Sequence, residues 1–210
     1  MTNLIQTNIV GVFSVIDLLT VEKAISELFS IKKDETDNIE SAKAPNLLGF
    51  FNNKEKTGII ITNNKLRADN NSGDEKKIGF IDDFFKAYKI IKKRNNIQNI
   101  AYGFNFTYSI TTDEGKNISK IIKNKFIKPK ILKPDLNMLF KGAGVRLMFE
   151  NDNIEYDFRF DPSAPNSNVI MIQVNANHVG DFPTEPVVKK SYIQDLKFVR
   201  KIIEESKIEE

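Results

Sequence analysis

Three stretches of this chain alternate apolar and polar residues so strictly that only extended backbone can use the pattern. Tyr102, Phe104, Phe106, Tyr108 and Ile110 alternate with Gly103, Asn105, Thr107 and Ser109. Tyr156, Phe158 and Phe160 alternate with Glu155, Asp157, Arg159 and Asp161. Ile170, Ile172, Val174 and Ala176 alternate with Met171, Gln173, Asn175 and Asn177. Successive strand side chains point to opposite faces, so each stretch gives one face to a core and the other to something else. Val145, Leu147 and Phe149 against Arg146, Met148 and Glu150 repeat the pattern, and Asn151-Asp152-Asn153 supplies a tight turn into the next strand. On this reading Tyr156, Phe158 and Phe160 are buried, while Glu155, Asp157 and Arg159 stay solvated.

Helical spacing separates these strands. Val21, Ala24, Ile25, Leu28 and Phe29 recur at i, i+3, i+4, i+7 and i+8 behind the capping oxygens of Asp17 and Thr20. Phe80, Phe84, Phe85, Tyr88 and Ile91 mark a second helix closed by Lys92-Lys93-Arg94, cations that suit a negative helix terminus. Ile118, Ile121, Ile122 and Phe126 predict a third, shorter helix, and Tyr192, Leu196, Val199 and Ile203 a last one. Ile9 to Ile16 around Gly11 predicts a buried strand, and Leu47–Phe51 and Gly58–Thr62 a hairpin. Lys32 to Ala44 carries no period and predicts a loop, as does Asp69 to Glu75. His178 follows the last alternating strand and precedes Gly180 and Asp181, which predicts a surface histidine in a loop.

The element order is β-α-β-β-α followed by β-α-β-β-β-α. We expect an α+β fold: a two-layer sandwich of mostly antiparallel sheet with helices on one face, for which a duplicated β-α-β-β-α unit is one construction. Residues 1–210 then form a single domain with pseudo-halves at 1–96 and 97–210. The stretch from Gly58 through Phe84 and Tyr88 to Tyr102, with the Val169–Asn175 strand and the terminal helix from Lys189, resembles an uncharacterised, sporadically distributed family of bacterial proteins somewhat longer than this chain. Asn105 sits earlier in its strand than that family's aromatic-Asn pattern places it. The resemblance implies a fold and no catalytic residues.

Composition excludes much chemistry. At 210 residues and 40% hydrophobic content the chain is long enough to bury a sizeable core, about 70% of its unfolded surface by size scaling. Without cysteine there are no disulfides, thiolate metal sites or thiol nucleophiles, and a single histidine excludes a two-histidine site within one subunit. The net charge of +3 is too near balance to specify an acidic partner. No apolar run reaches the length of a membrane span, and Met1-Thr-Asn-Leu-Ile-Gln-Thr-Asn lacks the basic and apolar regions of a signal peptide, so a cytoplasmic protein is expected. Gly142-Ala-Gly144 has neither a third glycine at the dinucleotide spacing nor a following Lys-Ser/Thr. A calcium loop from Asp69 would want Gly at Asp74 and Glu at Phe80, so a solvated turn is expected there.

Three function classes follow. The leading one is a non-enzymatic binding or protein-interaction module that self-associates, with no cofactor and a protein partner or a second copy as its ligand. Its candidate residues are the short amides and hydroxyls Asn105, Thr107, Gln173, Asn175 and Asn177, together with His178. The alternative is a nucleic-acid-binding protein using Lys116, Lys120, Lys123, Lys125, Lys128, Lys130 and Lys133, seven cations with no intervening acid. The third is a metal-dependent hydrolase on Glu155, Asp157 and Asp161, which share a strand face. Arg159 interrupts that row, and Arg146 on the neighbouring strand is placed to pair with it.

Overall fold

The computed structural model describes residues 2–30, 39–112, 144–151, 153–163, 168–180 and 182–206. They form strands β1 (Thr2–Phe13), β2 (Ile39–Ala44), β3 (Leu47–Asn52), β4 (Thr57–Thr62), β5 (Lys65–Asn70), β6 (Asn99–Thr111), β7 (Val145–Asn151), β8 (Ile154–Pro162) and β9 (Val169–Val179). The helices are α1 (Leu18–Ser30), α2 (Gly79–Arg94) and α3 (Glu185–Glu205). The strands make one sheet in the order β2-β3-β4-β5-β1-β6-β9-β8-β7. Every adjacent pair is antiparallel. β1 and β6 sit side by side, and outward from them each half runs back through its own meander.

The expected α+β fold with a mostly antiparallel sheet is present. Alternation decides which face is inside: Tyr102, Phe104, Phe106, Tyr108 and Ile110, with Tyr156, Phe158, Phe160, Ile170, Ile172, Val174 and Ala176, join the apolar faces of all three helices in one core cluster. Phe182, between β9 and α3, lies within 5.0 to 6.5 Å of the rings of Tyr102, Tyr88, Phe84, Phe85 and Phe13, and so fastens the start of α3 to the sheet and to α2. Asn95 does the same for α1 and α2: its Oδ1 accepts from the Asp17 amide at 2.8 Å and its Nδ2 donates to Thr20 Oγ1 at 3.2 Å. Among the described residues no helix is long and apolar enough to cross a membrane.

Several elements depart from the expectation. Residues 39–44, expected as loop, are β2; this edge strand takes its conformation from the β3 backbone and needs no alternating apolar residues to form. Asp69 and Asn70, expected in a solvated turn, close β5, whose inward apolar residues are only Leu66 and Ala68. Asn70 is 1% exposed. Its Nδ2 donates to the carbonyls of Asp74 and Lys77, and its Oδ1 accepts from Ser72 N and Oγ. It thereby ties down the loop that follows, where Gly73 takes a positive φ of 73°. His178 lies in β9 and faces the core. The helix expected around Ile118 to Phe126 and the seven lysines from Lys116 to Lys133 lie outside the described residues.

Candidate functional site on the polar face of the sheet

The second face of the sheet is built by the polar partners of the alternation. Cross-strand register places Asp69 of β5, Asn8 of β1, Asn105 of β6, Asn175 of β9 and Asp157 of β8 side by side. At strand spacings of about 4.8 Å the row spans about 19 Å. Asn105 Nδ2 donates to Asn8 Oδ1 at 2.7 Å. A second row runs beside it through Gln6, Thr107, Gln173, Arg159 and Arg146. Asn105, Thr107, Gln173, Asn175, Asp157 and Arg159 line a recess of about 240 Å³ between the two rows.

Each end of the first row is a carboxylate held by arginine. Asp69 accepts from Arg67 Nε at 2.8 Å, Arg67 Nη2 at 2.5 Å and Gln6 Nε2 at 3.0 Å. It is 2% exposed. Burial raises its carboxyl above the ordinary value, against the opposing pull of Arg67. Asp157 accepts from Arg146 Nε at 2.8 Å and Nη2 at 3.0 Å, and from Arg159 Nη2 at 3.0 Å. Here the Arg146 hydrogen bonds win over burial, and the carboxyl is lowered. The centre of the face is therefore uncharged amide and hydroxyl between carboxylates held by arginine, Asp69 by one guanidinium and Asp157 by two. Such groups donate and accept on one edge and suit a polar ligand without net charge.

Four expected site residues, Asn105, Thr107, Gln173 and Asn175, converge in the recess. Asn177 stands on the same face one level along, opposite Gly103, where a Cβ would come within 2.7 Å of the Ala176 carbonyl. His178 does not belong with them. Its ring stacks on Tyr102 at 4.6 Å, and its Nε2 lies 2.7 Å from Asp195 Oδ2. Asp195, 1% exposed, also accepts from the Tyr156 hydroxyl at 2.7 Å, so histidine and tyrosine together anchor α3 to β8 and β9. His178 continues the inward series of Ile170, Ile172, Val174 and Ala176, a signal present in the sequence. Asn8, Gln6 and Asp69 were not legible, because Val10 and Val12 mask the alternation of β1 and Asp69 reads as turn chemistry.

Glu155 and Asp161 flank Asp157 on β8 as expected, but Asp157 is closer to sealed than to solvated, with 12% of its side chain exposed beneath two guanidinium groups. Its lone pairs serve those arginines. Among the described residues no three His, Asp or Glu side chains converge as a metal site. A scan against protein-family models and a search of curated proteins found no match to this chain.

Proposed function

We propose that this protein is a non-enzymatic binding module, self-associating, whose ligand-facing surface is the polar face of the sheet. The observation that carries the reading is the register of Asn105 and Asn175 on adjacent central strands, with the buried Asn8 accepting from the Asn105 amide, beside a recess lined by amides and a hydroxyl. Central strands have their backbone groups paired on both sides, so the face offers side chains alone to a partner. With both carboxylates held by arginine and amides and a hydroxyl at its centre, the row favours an uncharged polar ligand or a polar protein surface.

Site-specific photo-crosslinking in extract tests this, from position 175 on the face and from position 193 on α3 as a control. Adducts from 175 that disappear when Asn105 is replaced by Lys support the reading, and equal labelling from both positions sinks it. The nucleic-acid alternative rests on the seven lysines between 116 and 133 and predicts a different result. Retention on DNA or RNA at about 50 mM salt would vanish by about 200 mM and would fall when Lys120, Lys123 and Lys125 are changed to Glu.

A further inference from the structure

We propose that β7 is the self-association edge: two copies of this chain pair their β7 strands antiparallel about a two-fold axis at Met148 and join their sheets into one. This rests on the self-association in the reading above and gives it a place. Among the described residues the sheet ends at β2 on one side and β7 on the other. An open edge presents unpaired N–H and C=O groups that template further pairing, and proteins guard such edges with short strands, prolines and inward charges.

The two edges are built differently. β2 has six residues, points Lys43 to the helix side, where its ammonium lies 2.6 Å from Glu22 of α1, and is followed by Pro45. β7 has seven residues, no proline, and an unbroken ladder to β8 from Val145 to Asn151. Its helix-side residues Val145, Leu147 and Phe149 are apolar and only partly buried, and Met148 on the other face is 56% exposed. Among the described residues, one edge is guarded and the other is not.

β7 is also complementary to itself. In a continuous sheet, residues opposite each other must share a face, so a two-fold register pairs positions whose numbers sum to an even value. Centred on Met148, this sets Arg146 against the partner's Glu150 and Leu147 against the partner's Phe149. Symmetry repeats both contacts, and opposed side chains lie about 5 Å apart. Moving the centre to Leu147 sets Arg146 against the partner's Met148, and moving it to Phe149 does the same to Glu150. Only the Met148 register pairs the charges.

Sedimentation velocity of the full chain over a range of concentrations is the test, with a species of twice the 24.0 kDa chain mass expected. Glu150→Lys sets like charges against each other twice and weakens association at least about tenfold. The double exchange Arg146→Glu with Glu150→Lys restores it; the melting temperature of each variant is followed alongside, because Arg146 also holds Asp157. The outward amides of β7 should gain hydrogen-exchange protection as concentration rises. A 24.0 kDa species at every concentration overturns both this proposal and the self-association it rests on. A dimer indifferent to Glu150→Lys keeps self-association and overturns the β7 edge. Protection of the outward amides independent of concentration means the edge is covered within one chain, and likewise overturns it.

Discussion

Asp69 and Asp157 stand at the two ends of one polar row and respond to pH with opposite sign. The folded-state value of Asp157 is lowered by Arg146, so its contribution to stability is present above the ordinary 3.8 and is lost as pH falls through the lowered value. That of Asp69 is raised by burial, so its contribution is complete below 3.8 and is lost as pH rises through the raised value. Denaturant titrations at a series of acid pH values should show Asp157→Asn flattening the acid loss and Asp69→Asn steepening it. Near neutral pH Asp157→Asn should cost no more than about 1 kcal/mol, because its two arginines are half exposed. Phe158→Ala, at a fully buried site, should cost about 3–5 kcal/mol. Asp195→Ala should cost about 3–5 kcal/mol as well, since it strands His178 and the Tyr156 hydroxyl in the core. The last of these was hidden in the sequence: Asp195 sits on the apolar stripe of α3, and nothing in a linear pattern reveals that two partners on other strands await it.

At the scale of elements, the aromatic alternation of β6, β8 and β9 was legible because each residue's face follows from its own position. β2 and β5 were not. A strand whose conformation is imposed by a neighbour's hydrogen bonds needs no pattern of its own, and β5 ends in Asp69-Asn70, residues that in isolation favour turns. Part of the candidate site was hidden for the same reason, because Asn8 and Asp69 become site residues only through the register of β5, β1 and β6. Asn70 is the element-scale anchor. Asn70→Ala leaves the Ser72 amide and the Lys77 carbonyl without their Asn70 partner and the Asp74 carbonyl with the Lys77 amide alone, and should cost about 1–3 kcal/mol. Faster amide exchange confined to residues 71–77 would locate the damage; unchanged exchange there would show the loop held by other means.

For the whole molecule, the β1–β6 ladder joins the halves across the middle of the sheet, with register from Thr2–Ile110 to Phe13–Asn99 and bulges near Leu4 and Phe13. One core cluster runs through both halves. Unfolding should therefore be a single transition, with far-ultraviolet circular dichroism and tyrosine fluorescence coincident in denaturant. Separate midpoints would divide the protein at residues 96 and 97. The same ladder bears on how the protein is made. Among the described strands β1 leaves the ribosome before the others, and its second neighbour, β6, begins only at Asn99. Until that partner is synthesised, an N-terminal half that has already closed its meander onto β5 carries twelve residues of bare strand edge, the form in which a nascent chain is most open to capture by a neighbouring chain or a chaperone.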